Sequence, residues 1–166
     1  KAGVREADGE RLTAIYASFV DHAWNDSAGR FRNFMGYDRK WLEDVGSLDS
    51  FGRSLWALGE TVRLSPSGEL RAWALSLADR VVPHVRGINA LHALSFCALG
   101  LASLASARCD DGQWRAALEH CGQTLEGALA KTRRPGQRAT WQMMCAAAPK
   151  PYRPRRSASP ANRRAR

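Results

Sequence analysis

Residues 31–59 concentrate side chains that can do chemistry. They include the carboxylates Asp38, Glu43, Asp44 and Asp49, the indoles Trp41 and Trp56, and the polar groups Asn33, Arg39 and Arg53. Carboxylates can donate or accept protons, indole rings can stack on flat ligand faces, and amide and guanidinium groups bind polar oxygens. A loop seldom carries so many large aromatic rings, so this segment predicts a ligand site.

The elements that must position this segment are helical. Apolar residues recur at steps of three and four, which is the period of an amphipathic helix. Between the first two helices, residues 25–49 break that period with glycines and predict a long ordered loop with room for a small hairpin. Asp49 or Ser50 then offers an N-cap oxygen for the second helix. We predict helices near 9–24, 50–63, 69–82, 88–106 and 112–130, and no extended sheet.

The connections between these helices favour helical hairpins. The turn at residues 65–68, Ser-Pro-Ser-Gly, is short enough to make its two helices antiparallel. Helices with a one-sided apolar stripe alternate with the nearly all-apolar helix near 88–106, as in a curved array of helix pairs. Gly52 and Gly59 lie on one helix, where each glycine costs about 1 kcal/mol. They indicate close backbone packing, which we favour, or room for a ligand.

Residues 31–59, FRNFMGYDRKWLEDVGSLDSFGRSLWALG, resemble the pattern FxNFMxYDRxWLExxGSEDSxGRxLWALG. This pattern belongs to the helical-toroid domain of bacterial glycosyltransferase-associated proteins, within the six-hairpin glycosidase-like superfamily. The resemblance covers roughly residues 8–130 and is specific only across 31–59. It implies an all-α fold, a partial (α/α) toroid of antiparallel hairpins that does not close its ring. It also implies a fragment of a carbohydrate-active protein that binds or processes a sugar.

The resemblance assigns roles to the chemical side chains. Glycoside cleavage uses two carboxylates set about 5–10 Å apart, and Asp38 and Asp49 are the catalytic candidates. The predicted saccharide-binding residues are Asn33, Arg39, Trp41, Glu43 and Arg53. Over residues 46–53 the family reads GSEDSHGR, and Leu48 and Phe51 stand in place of its first acid and its histidine, so this copy can have lost activity. The alternative is a non-enzymatic helical protein-interaction module.

The C-terminal part of the chain has a different composition. Residues 131–166 hold eleven of the 25 basic residues and no acid, so residues 1–130 form a near-neutral domain and the net charge of +9 comes from this tail. The tail is predicted to be disordered. It is either a native basic segment or an out-of-frame end, and we favour the second. Nucleic-acid binding is not expected, because Trp141 and Tyr152 alone interleave aromatic rings with its basic residues.

Other functional classes find little support in the residues. The four cysteines form no CxxC pair; they are Cys97, Cys109, Cys121 and Cys145. This spacing predicts free buried thiols in a reducing compartment and no metal site. His84 and His92 are expected to be structural, and no nucleotide-binding motif points to a cofactor. The start of the sequence lacks a secretory signal, and the apolar run at 88–105 is interrupted by polar residues. We therefore expect a cytoplasmic chain that avoids membranes, binds a saccharide, and has a glycosyltransferase domain as its partner on the full-length protein.

Overall fold

The computed structural model describes residues 2–108 and 111–132, with side chains for residues 8–9 and from 11 onward within those ranges. The described residues form five helices: α1 Ala2–Ala23, α2 Leu48–Leu64, α3 Gly68–Val81, α4 Leu91–Ala107 and α5 Gly112–Thr132. A 3-10 helix, Val82–Gly87, joins α3 to α4. The prediction of an all-α fold is confirmed for the described residues, whereas the partial toroid stays a prediction. The predicted disordered tail lies outside the described residues from position 133 onward.

Serine hydroxyl groups cap the N-termini of α2 and α3, the two helices joined by the turn at residues 65–68. Ser67 caps α3 by accepting a hydrogen bond from the amide of Leu70 at 3.3 Å. Ser47 caps α2 by accepting from the amide of Ser50 at 3.1 Å. The prediction of an Asp49 or Ser50 cap was therefore wrong, and α2 begins at Leu48. The reason is that the Ser50 hydroxyl turns back to the Ser47 carbonyl at 2.8 Å, while the Asp49 carboxylate points to other side chains.

α2 and α4 pack backbone against backbone through small residues. A Cβ atom placed on Gly52 would lie 2.5 Å from the Ala93 carbonyl oxygen, and one placed on Gly59 would lie 2.9 Å from Gly100 Cα. Gly52 and Gly59 are seven residues apart, as are Ala93 and Gly100, and each pair meets in the same chain order. The two helices are therefore parallel neighbours. Of the two interpretations of the glycine pair, close backbone packing is the one that the structure shows.

The hydrophobic core joins α2, α3, α4 and α5. Its fully buried side chains include Leu55, Leu77, Leu94, Leu101 and Trp114, together with Phe31 of β2 and Val82 and Val85 of the 3-10 helix. The Cys97 and Cys121 thiols are also buried there, and burial raises the pKa of Cys97 to about 12 and that of Cys121 to about 11. Both are free, as predicted. Cys109 and Cys145 lie outside the described residues.

The segment between α1 and α2 is ordered by short antiparallel pairings. Strand β1, Trp24–Asn25, pairs with strand β2, Arg30–Phe31. A second pairing joins Met35 to Trp41 around a turn in which Arg39 has a φ of +61°. Because side chains alternate along extended backbone, Phe34 and Leu42 point outward while Trp41 packs inward. The long ordered loop that the sequence predicts thus contains two small hairpins.

A carboxylate joins the first of these hairpins to α3. The Asp26 carboxylate accepts from Arg80 Nε at 3.0 Å and Nη2 at 2.5 Å, and from Trp24 Nε1 at 2.7 Å. These bonds, led by the one from Arg80, lower the pKa of Asp26. At pH values above the ordinary carboxyl pKa, charged Asp26 therefore stabilises the fold. This contribution is lost as the pH falls through the lower folded-state pKa.

We expect Asp26→Asn to remove part of the acid sensitivity of the fold. The variant should unfold at a lower temperature than the wild type at neutral pH, and the difference should shrink as the pH falls below the ordinary carboxyl pKa and through the lowered folded-state pKa of Asp26. Thermal unfolding followed by circular dichroism across this range measures the difference. Asp44→Asn is the matched control, because the Asp44 side chain is exposed. An equal difference between wild type and Asp26→Asn at every pH would contradict this role.

Candidate functional site

A single face of the α2 and α4 pair gathers polar and aromatic side chains. We call it the α2–α4 face and define it by Asp49, Arg53 and Trp56 on α2, and His92, Phe96 and Leu99 on α4. On each helix these three positions follow steps of four and three residues, so they form one row per helix. The rows lie side by side because Gly52, Gly59, Ala93 and Gly100 bring the two helices into contact. None of the six side chains belongs to the buried core.

The polar end of this face lies at the first turns of both helices. Asp49 Oδ2 accepts a hydrogen bond from Arg53 Nε at 2.7 Å, and Asp49 Oδ1 lies 2.9 Å from His92 Nδ1. Asp49 Oδ1 is buried and has no hydrogen-bond partner among the described residues, so its contact with His92 is a close approach without hydrogen-bond geometry. The side chains of Asp49, Arg53 and His92 keep 43%, 56% and 69% of their surface exposed, so solvent and ligands can reach all three.

The aromatic end of the face adjoins this polar group. The rings of Trp56 and Phe96 stack with centroids 5.5 Å apart and planes 14° apart. Phe96 also contacts the edge of His92 at 4.8 Å and the Arg53 guanidinium at 4.6 Å. Trp56, His92 and Arg53 thus all contact the Phe96 ring. The aromatic surface that a ligand can reach belongs to Trp56, which is 37% exposed. The face therefore combines one accessible indole with a donor, an acceptor and an imidazole.

The two predicted catalytic carboxylates lie in different features. Asp49 belongs to the α2–α4 face, whereas Asp38 lies at the exposed turn of the second hairpin. There Asp38 accepts from the Lys40 amide at 3.2 Å and pairs with Lys40 Nζ at 3.7 Å. Arg39 lies beside it on the same turn and is exposed. Among the described contacts, none joins the Asp38 turn to Asp49.

Three of the predicted binding residues hold the loop in place. Trp41 packs against Phe19 and His22 of α1, with ring centroids 5.7 and 5.3 Å away. The Asn33 amide donates to Glu43 Oε1 at 2.5 Å, so the Glu43 carboxylate serves the loop backbone. Of the seven predicted site residues, Asp49 and Arg53 contact each other and also reach side chains of α4. Asp49 lies beside His92, and Arg53 lies over Phe96.

His92 and Phe96 were missed as site residues. The helix near 88–106 is nearly all apolar, and His92 was expected to be structural. In the structure His92 is exposed and lies beside Asp49, a residue 43 positions earlier in the chain. Trp56 is likewise partly exposed. The seven-residue spacing of Gly52 and Gly59, repeated at Ala93 and Gly100, is the signal that could have aligned the two rows.

Among the described residues, no group of three or more histidine, cysteine or acidic side chains is arranged to hold a metal ion. No described helix has the length and apolar content needed to cross a membrane.

Comparison of the chain with protein-family models, with curated proteins and with solved structures found no match.

Proposed function

We propose that this chain is a saccharide-binding helical unit whose binding surface is the α2–α4 face. The observation that carries the proposal is the contact of the Asp49, Arg53 and His92 group with the Trp56 and Phe96 stack. Sugars present apolar C–H faces rimmed by hydroxyl groups, so an accessible indole beside charged donors and acceptors is complementary to them. The α2–α4 face supplies both within about two turns of helix.

The arrangement of helices supports a toroid as the parent architecture. α2 and α4 are parallel neighbours, and α3 returns the chain between them, so consecutive hairpins would repeat in one direction. In such an arc α2 and α4 would be inner helices, and the α2–α4 face would line the concave side. The first turns of both helices, which carry Asp49 and His92, would then lie at the same end of the ring. We further propose, from the sequence resemblance, that the arc belongs to a carbohydrate-active protein with a glycosyltransferase domain.

Binding is better supported than catalysis. Paired carboxylates in glycosidases lie about 5–10 Å apart across the scissile bond, whereas Asp38 and Asp49 belong to separate features with separate partners. Asp49 is held by Arg53 and lies beside His92, an arrangement suited to fixing hydroxyl groups. The replacement of the pattern's acid and histidine by Leu48 and Phe51 points the same way, since Phe51 is fully buried in the core.

A non-enzymatic protein-interaction module is the second candidate. The observation that favours it is that α4 also exposes Leu91 and Leu99, at 46% and 50%, beside the aromatic stack. Apolar side chains next to an aromatic pair can equally accept a peptide segment. The two candidates differ in what should bind and in which residues should matter most, because a peptide would depend on Leu99 and a sugar on Asp49 and Arg53.

We expect neutral oligosaccharides to bind the chain weakly and to lose affinity on substitution of the polar group. Isothermal titration with a panel of trisaccharides made of glucose, mannose or N-acetylglucosamine identifies the best probe. Arg53→Ala and Asp49→Asn should each weaken its binding by about 10-fold, the value of one or two charge-assisted hydrogen bonds. Arg39→Ala on the exposed turn is the matched control. A panel without binding, or equal affinity of wild type and Arg53→Ala, would contradict the proposal.

A further inference from the structure

The segment that begins with β2 carries two arginines without a carboxylate partner. Among the arginines whose side chains the structure describes, three are partly buried: Arg30, Arg32 and Arg108. Arg108 pairs with Asp79 and Asp111, whereas neither Arg30 nor Arg32 pairs with a described acid. A guanidinium group keeps its charge when it is partly buried, so each of these two arginines favours a negative partner.

The two arginines project from one side of the same extended segment. Beyond the pairing of β1 with β2, the Arg32 amide donates to the Ala23 carbonyl at 2.9 Å, so the extended backbone continues to Arg32. Phe31 lies between the arginines, is 2% exposed and packs into the core. Because side chains alternate along extended backbone, Arg30 and Arg32 lie on the opposite side from Phe31, with their Cα atoms about 7 Å apart. One small ligand can reach both guanidinium groups.

Trp41 adds a third donor beside Arg32. The Arg32 guanidinium carbon lies 5.7 Å from the centroid of the Trp41 ring. Trp41 Nε1, Arg32 Nε and Arg30 Nη1 are buried, and none has a hydrogen-bond partner among the described residues. Since indole and guanidinium groups can only donate hydrogen bonds, this cluster matches a ligand that supplies acceptors and negative charge.

The acceptors of the same loop are directed elsewhere. Glu43 accepts from the Asn33 backbone amide at 2.5 Å, and the exposed Asp44 carboxylate pairs with neither arginine. Asn33 Oδ1 is itself unpartnered, but Asn33 follows Arg32 and faces the other side of the segment, where it lies beside Gly46. The described part of the chain thus supplies no anion to these donors.

We propose that Arg30, Arg32 and Trp41 form a binding site for an oxyanion, such as the phosphate or carboxylate group of a ligand. Guanidinium groups bind oxyanions through paired N–H bonds, and two of them offset the charge of a phosphate group. The indole ring packs against the Arg32 guanidinium and limits its movement. The proposal is independent of saccharide binding, because these residues lie outside the α2–α4 face and the test uses no sugar.

Titration of the ¹⁵N-labelled full chain with inorganic phosphate, at an ionic strength held constant with sodium chloride, tests this site. The wild type should bind phosphate saturably, and the indole signal of Trp41 should shift. Arg30→Gln and Arg32→Gln should each weaken phosphate binding by about 10- to 100-fold, the value of charge-assisted hydrogen bonds to one guanidinium. Arg71→Gln is the matched control, because the Arg71 side chain is exposed on α3 and should leave the affinity unchanged.

A conservative variant and a second anion sharpen the test. Arg32→Lys keeps the charge but loses the planar fork, so it should retain only part of the affinity. Acetate distinguishes the two ligand classes, because tighter binding of phosphate assigns the site to phosphate groups and tighter binding of acetate assigns it to carboxylates. Circular dichroism confirms that each variant stays folded. Equal affinity of wild type and Arg32→Gln, phosphate binding that leaves the Trp41 signal unmoved, or no saturable binding of either anion would overturn the proposal.

Discussion

Gly59→Ala is expected to destabilise the fold by about 1–3 kcal/mol, the cost of forcing an extra methyl group into a closely packed contact. Alanine is the better helix former by about 1 kcal/mol, so propensity alone predicts the opposite sign. The added Cβ would lie 2.9 Å from Gly100 Cα, and backbone atoms of a neighbouring helix cannot move aside as a flexible side chain can. α2 and α4 would have to separate, which would also loosen the Ser103 to Glu60 hydrogen bond of 2.8 Å.

Urea unfolding of Gly59→Ala and Gly127→Ala measures this effect against a matched control. Gly127 lies on α5, and a Cβ placed on it would meet nothing within 4 Å. Gly127→Ala should therefore stabilise the chain by about 0.5–1 kcal/mol. Opposite signs for the two substitutions support the backbone contact between α2 and α4, and a stabilising Gly59→Ala would contradict it.

The second large effect concerns the anchor of α5. Trp114 is fully buried, and the Arg108 guanidinium lies over its ring at 4.6 Å. Arg108 in turn pairs with Asp79 of α3 at 3.0 Å, so this side chain links α3, α4 and α5. Trp114→Ala should destabilise the fold by about 3–5 kcal/mol, the range for truncation of a buried aromatic residue.

Trp114→Phe separates packing from hydrogen bonding at this position. Trp114 Nε1 is buried and has no hydrogen-bond partner among the described residues. Replacing the indole by a phenyl ring therefore removes packing volume but no hydrogen bond. We expect a cost below about 1.5 kcal/mol, as for other core substitutions that keep most of the volume. Chemical unfolding of both variants provides the comparison. If Trp114→Phe proves as costly as Trp114→Ala, the indole nitrogen has a partner and the packing account is wrong.

The helices could be predicted because each carries its own period. The stripes of α3 and α5 and the Ser65–Gly68 turn are local patterns, so five helices follow from residues close together in the chain. The start of α2 was missed by two residues because Ser47, Asp49 and Ser50 are all able to cap a helix. The hydrogen bonds in the structure identify Ser47 as the cap. The Ser50 hydroxyl bonds the Ser47 carbonyl, and the Asp49 carboxylate bonds Arg53.

The candidate site could be predicted only in part, because it forms between helices. Asp49 and Arg53 are one turn apart and could be paired from sequence, whereas His92 and Phe96 reach them through the parallel packing of α4 on α2. The parallel direction of that packing depends on the contacts of Gly52 with Ala93 and of Gly59 with Gly100. The periodicity of a single helix does not show which residues of another helix it will contact. Trp41 was expected to bind a ligand, yet Phe19 and His22 of α1 pack against it.

The most direct test of the saccharide proposal is to find where a bound sugar contacts the chain. Nuclear magnetic resonance spectra of the ¹⁵N-labelled protein resolve the indole signals of its tryptophans, and titration with the best trisaccharide shows which of them respond. We expect the signals of the Trp56 indole and of His92 to shift, and those of the Trp41 and Trp114 indoles to stay unchanged. Shifts confined to the Trp41 loop, or no shift at saturating sugar, would contradict a binding surface on the α2–α4 face.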